Sequence, residues 1–289
     1  MKIKKLETFT KSFVSFVKIT DDNENFGYGQ MSTYYADITA QIFHKQVAPW
    51  VLGKSWQDFD DIGNLILERE HKFPGSYILR AIAGLDTALW DMKGRIENKA
   101  VVSLIGGSPG KLRVYGSSMK RDITPQAEAD RFKKLEDEKG INAFKFRIGA
   151  ECGRGEDEWP GRSEEIIQVI NKNLDLNTSK LVDANSCFNP SRAIELGHML
   201  EDNGVIHYEE PCPYWEPNQT LEVTNALNID VTGGEQDCDL RIWQDMIERK
   251  IVNIVQPDVM YMGGLTRTLK VAEMAAQKNI SCTPHAANL

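Results

Sequence analysis

Hydrophobic and polar positions follow two rhythms along the chain. Residues 1–9 and 13–20 alternate with a period near two. Asp21, Asp22 and Asn23 make a turn into a third short alternating stretch, Phe26 to Gln30. Alternation sends successive side chains to opposite faces, so these stretches predict a small antiparallel sheet. Helical patterning follows, with Trp50 and Trp56 around a break at Gly53. The clearest helix is SYILRAIAGLDTALWDMKGR, in which Ile78, Ile82, Leu85 and Leu89 form one apolar face. The first third therefore predicts an α+β arrangement.

From about Val114 the rhythm changes. Short apolar runs recur as VYGSSM, AFKFRI, LVDANS, VIHYEEP, IDVTGGE, VNIVQPD and ISCTPHA, separated by helix-length stretches such as PSRAIELGHMLEDNG and GLTRTLKVAEMAAQKN. Strands alternating with helices predict βα units and a parallel sheet. Seven strands are visible before Leu289, one short of a (β/α)8 barrel. A doubly wound open sheet is the other option, but no GxGxxG follows a first strand. The expected fold class is α/β: an N-terminal α+β capping domain (1–112), then a TIM-type (β/α) barrel (113–289) that is incomplete at its C-terminal end and lacks the eighth strand.

Composition narrows the function. Of 289 residues, 41% are hydrophobic and 26% charged, which excludes a disordered chain. Lys plus Arg number 34 against 42 Asp plus Glu, a net charge of −8 that argues against a nucleic-acid partner. The basic start MKIKK precedes no apolar leader, and no apolar run is long enough for a membrane span. The five cysteines are odd in number and form no CxxC pair. The expectation is a reduced, cytoplasmic protein with no membrane partner.

The chemistry lies at strand ends. Asp183, Glu209, Glu235, Asp258 and His285 each follow an apolar run, with successive spacings of 26, 26, 23 and 27 residues. One βα unit takes about that length, so each residue is expected on the same rung of its own strand, at the barrel end where active sites form. Three carboxylates on adjacent strands repel unless a cation binds among them. Oxygen ligands suit Mg2+, so Asp183, Glu209 and Glu235 are candidate metal ligands. Asp258 beside His285 would hold one imidazole tautomer and make a general base. The remaining histidines, His44, His71, His198 and His207, are expected to lack such partners. In AFKFRIG, Lys145 and Arg147 share one strand face. They are candidate substrate-binding and catalytic cations, and Asn185 is a candidate substrate-binding residue. Gly263 and Gly264 precede a helix and could cradle phosphate, though a tight turn is the plainer reading. The cysteines read as packing.

These residues resemble the enolase superfamily, in particular the mandelate racemase subgroup of its mandelate racemase/muconate lactonizing enzyme family. GLDTALWDMKGR resembles the capping-domain helix. Asp183, Glu209 and Glu235 match the three Mg2+ ligands, Asp258 and His285 match the dyad, and Lys145 opens the Lys-x-Lys motif. PDVMYMGGLT and GGE with EEP complete the likeness. The resemblance implies abstraction of a proton α to a carboxylate, with Mg2+ stabilising the enediolate, in a protein that assembles as a dimer or octamer.

Three departures shape the expectation. Arg147 replaces the second motif lysine, and an arginine is a poor base. A racemase needs a base on each face of the α-carbon, so unless Lys145 supplies the second one, the resemblance points to a lyase. That lyase would be an acid-sugar (aldonate or aldarate) dehydratase. A racemase, epimerase or cycloisomerase of a carboxylate substrate is the alternative within enzymes. The covering segment between Phe9 and Phe13 is very short, and the segment after Arg147 is long. The absence of an eighth strand predicts a C-terminally truncated chain, for which an inactive metal-binding fragment is the non-enzyme alternative.

Overall fold

The computed structural model describes residues 1–31 and 33–286. They fall into two compact units. One holds Met1–Gly110, Glu235–Asp245 and the chain from Gln256 onward. The other holds Lys111–Gly234 and Met246–Val255.

In the first unit, β1 (Ile3–Lys11), β2 (Val14–Asp21) and β3 (Phe26–Met31) form an antiparallel sheet in that order. Lys11 pairs with Val14, which leaves Ser12 and Phe13 as a two-residue turn, with Ser12 at φ 47°. The turn after β2 is tied by Asp21. One of its carboxylate oxygens accepts from the N–H groups of Asn23 and Asn25, both at 2.9 Å, and the other from Trp56 Nε1 at 3.2 Å. Next come α1 (Ala36–Ile42), a π-helical turn (Phe43–Val47), α2 (Ala48–Val51), α3 (Phe59–Arg69), α4 (Ser76–Glu97) and α5 (Val101–Leu104).

The expected apolar face of α4 is the packed one. Ile78, Ile82, Leu85 and Leu89 are each at most 3% exposed, and they share a core with Val17, Ile19 and Met31 of the sheet. Burying such a side chain contributes about 1.5–3 kcal/mol. Helix and sheet approach backbone to backbone. A Cβ on Gly27 would stand 2.5 Å from the Met92 nitrogen, and one on Gly84 would stand 2.5 Å from Met31 Cγ. The FGYG of β3 and the glycine in AGLD are what permit this contact.

The second unit repeats strand and helix: β4 (Gly116–Ser117), α6 (Pro125–Lys139), β5 (Ala143–Arg147), α7 (Arg162–Asn173), β6 (Ser179–Asp183), α8 (Pro190–Asp202), β7 (Val205–Glu209), α9 (Pro217–Ala226) and β8 (Asp230–Gly233). Then follow α10 (Leu240–Glu248), β9 (Ile254–Val255), α11 (Leu265–Gln277) and β10 (Ser281–Cys282). Strands β4 to β9 pair in chain order, and every pairing is parallel. The seven runs expected from Val114 onward all contain a strand, so the repeat is that of a TIM-type barrel, seven strands of it. Helix starts follow their sequence signals. Thr124 and Asn189 cap α6 and α8 by accepting from the N–H groups of Ala127 (3.3 Å) and Arg192 (3.0 Å), and a proline stands next in each case.

Candidate active site

The second unit gathers Lys145, Arg147, Asp183, Glu209 and Asn185. All five residues of β5 are buried, so its two cations are held inside. The register sets Arg147 opposite Asp183, and Asp183 opposite Glu209. Asp183 and Glu209 are 1% and 3% exposed, and two such carboxylates on adjacent strands need compensation. Lys145 Nζ supplies it by reaching both, 3.4 Å from Asp183 and 2.5 Å from Glu209, while Arg147 Nη1 pairs with Asp183. Arg147 also donates from Nε to the Ser118 carbonyl at 3.2 Å. Burial pulls the Lys145 pKa down, but the charges of Asp183 and Glu209 outweigh it and leave the ammonium firmly protonated.

Asn185 sits just past β6 in the left-handed region, φ 49°, and Ser186 follows at φ 62°. The Asn185 N–H donates to Asp183 Oδ1 at 2.7 Å, and its amide donates to Glu210 Oε2 at 3.3 Å. Two consecutive non-glycine residues in this conformation store strain beside a candidate site.

The first unit gathers Glu235, Asp258 and His285. His285 Nδ1 lies 2.7 Å from Asp258 Oδ2, and its Nε2 lies 3.2 Å from Glu235 Oε2. Asp258 is fully buried, and its other oxygen accepts from the N–H groups of Met260 and Tyr261, both at 2.8 Å. A backbone bridge between Asp258 and His285 holds the pair side by side.

The expectation of one common rung needs correction. The register partner of Glu209 is Thr232, and Glu235 lies in the turn beyond β8. Asp258 and His285 likewise lie three residues beyond the last residues of β9 and β10. Asp183 and Glu209 end their strands, whereas the other three belong to the loops that follow, so equal spacing did not mean equal height. Two of the four remaining histidines also differ from expectation. His198 pairs with Glu201 at 3.0 Å, and His207 stands 3.9 Å from Asp230.

The phosphate reading of Gly263 and Gly264 fails for a physical reason. The start of α11 already holds a carboxylate, since Asp86 of α4 accepts from the Thr266 N–H at 3.2 Å. Gly264, at φ 107°, lies so close that a Cβ there would stand 2.5 Å from Asp86 Cβ. Burial pushes the thiols of Cys187, Cys212 and Cys282 up, the last two to about 12 and about 11, so they stay protonated.

The donor set fits Mg2+. Asp183 and Glu209 offer buried, in-register oxygens that already draw one ammonium to both. Among the described residues no three acidic, histidine or cysteine side chains form a finished metal cage. No described helix is long and apolar enough to cross a membrane.

Known proteins resemble this chain over most of its length. The model of the mandelate racemase/muconate lactonizing enzyme N-terminal domain matches residues 4–106, and the enolase C-terminal domain-like model matches residues 127–289. A protein from Roseobacter denitrificans, provisionally described as a racemase, is 57% identical with a TM-score of 0.98. The match covers all of this chain and 79% of that one. A mandelate racemase/muconate lactonizing protein from Paracoccus denitrificans, complexed with magnesium, is 27% identical with a TM-score of 0.91, covering 98% and 78%. An arabinonate dehydratase from Saccharolobus solfataricus is 27% identical over 271 residues, 90% of this chain and 68% of that protein.

Proposed function

The chain belongs to the mandelate racemase/muconate lactonizing enzyme family of the enolase superfamily, and on that footing we propose that it is a Mg2+-dependent acid-sugar dehydratase. The observation that carries this reading is the Asp258–His285 dyad, with Arg147 as the second cation of β5. The dyad supplies one base. Arg147 supplies none, because a guanidinium does not give up its proton. Elimination of water needs one base, whereas inversion at the α-carbon needs two.

In the proposed reaction His285 Nε2 takes the proton α to the substrate carboxylate, while Nδ1 keeps its bond to Asp258. The same imidazolium then protonates the hydroxyl on the β-carbon. The C–H and C–O bonds break, a C=C bond forms, water leaves, and the enol becomes a 2-keto acid. Lys145, Arg147 and Asn185 bind the substrate carboxylate and its neighbouring oxygens. Asp183, Glu209 and Glu235 would hold Mg2+, which supplies positive charge against the negative charge developing on that carboxylate. The magnesium complex of the Paracoccus protein and the activity of the arabinonate dehydratase support this reading.

The same proposal takes residues 1–112 as a capping domain and 113–289 as the barrel domain, in a cytoplasmic homo-oligomer. A second reading, racemase or epimerase with Lys145 as the other base, draws on the Roseobacter relative. Incubation with a panel of aldonates and aldarates tests the proposal. It predicts 2-keto acid that vanishes in EDTA, and no keto acid from any member would refute it.

A further inference from the structure

Of the three buried or partly buried cations near the ends of β4 and β5, Lys145 and Arg147 each pair with a carboxylate. Arg121, four residues beyond β4, does not. Its single hydrogen bond among the described residues runs from Nη2 to the neutral amide oxygen of Asn185, at 3.1 Å. Among the described residues its buried Nε has no partner, and no carboxylate lies within ion-pair distance. Burial and the like charge of Arg147 both work against this guanidinium, and Asp183 offsets them only in part. A partly buried cation in such a place is costly unless an anion completes it.

The bond to Asn185 also fixes the direction. Asn185 is tied to Asp183 on one side and Glu210 on the other, and its left-handed backbone presents the amide to Arg121. Arg121 is therefore held beside the candidate substrate-binding residues, with Nη1 bound to no described protein group. Lys145 and Arg147 are committed to the reacting end. A planar fork is suited to a further carboxylate.

We propose that Arg121 recognises the second carboxylate of a dicarboxylic acid sugar, so that the substrate is an aldarate and not an aldonate. This rests on the acid-sugar reading above and narrows it. Four matched pairs of six-carbon acids, such as galactarate and galactonate, test it by calorimetric binding in Mg2+ with the intact protein. The expected result is at least one pair in which the diacid binds roughly 10- to 100-fold tighter, the range a charge-assisted hydrogen bond supplies. Arg121→Gln should remove that preference by weakening the diacid alone. Arg121→Lys, which keeps the charge and loses the fork, should lose about half of it on a logarithmic scale. No preference in any pair, equal weakening of both acids, or full preference in Arg121→Lys would overturn the assignment. Binding is read apart from turnover. Diacid preference without keto acid would sink the dehydratase and leave Arg121 standing, and keto acid without preference would do the reverse.

Discussion

His285 Nδ1 stands 2.7 Å from Asp258 Oδ2, while two backbone N–H groups hold the other oxygen of that carboxylate. The carboxylate can only accept, so Nδ1 carries a proton, and Nε2, on the Glu235 side of the ring, is the nitrogen that takes another. In Asp258→Asn an amide N–H facing Nδ1 would favour the opposite tautomer. Turnover should fall about 10²- to 10⁴-fold with KM nearly unchanged, the usual weight of a general base. Steady-state kinetics with a thermal melt as folding control checks this. A loss of folding in place of turnover would speak against it.

Lys145 bridges Asp183 and Glu209, two of the three carboxylates proposed to hold Mg2+. In Lys145→Met their repulsion is offset only by the metal and by Arg147, which reaches Asp183. The variant should melt lower than wild type in EDTA and recover more on adding Mg2+, because a ligand of the folded state stabilises by RT ln(1 + [L]/Kd). Equal Mg2+ shifts in the two proteins would remove these carboxylates from the metal site.

Gly264 has both a left-handed backbone and the Asp86 carboxylate against it. Gly264→Ala combines backbone strain with a clash and should cost at least about 2 kcal/mol. Asp86→Ala removes the anion from the start of α11 and should cost about 1 kcal/mol. Urea unfolding measures both, and a Gly264→Ala variant as stable as wild type would contradict the packing described.

Asp21 is buried, which works to raise its pKa, but hydrogen bonds from Asn25, Asn23 and Trp56 outweigh this and lower it. A carboxyl lowered in the folded state gives stability that is complete above its unfolded value, about pH 4, and is lost as pH falls through the folded value. Wild type should lose stability steeply below about pH 4, and Asp21→Asn should be less stable at neutral pH with a shallower acid decline. Urea midpoints against pH decide this, and parallel curves would exclude Asp21 as a source of the decline.

Much of this molecule was legible in its residues. The period of Ile78, Ile82, Leu85 and Leu89 marked the face of α4 that packs, and each apolar run from Val114 onward holds a strand. The pairing of Asp258 with His285 followed from strand order. Heights within the site did not follow, because Glu235, Asp258 and His285 come from loops that run past β8, β9 and β10, and spacing counts strand and loop alike. The part played by Asp86 was hidden because Asp86 and Gly264 lie far apart in the chain. Arg121 stands in a run of mixed charge, MKRD, where no periodicity separates a buried cation from a solvated one. The tie between His198 and Glu201, three apart on α8, was within reach of helical spacing.

The central claim is that His285 removes an α-proton and that water then leaves. The most direct measurement incubates wild type and His285→Asn with the acid-sugar panel in D2O and Mg2+, reading 2-keto acid and deuterium at the α-carbon of recovered substrate together. The account predicts keto acid from wild type, none from His285→Asn, and none from either in EDTA. Deuterium accumulating in recovered substrate with no keto acid would contradict it and make the protein a racemase or epimerase.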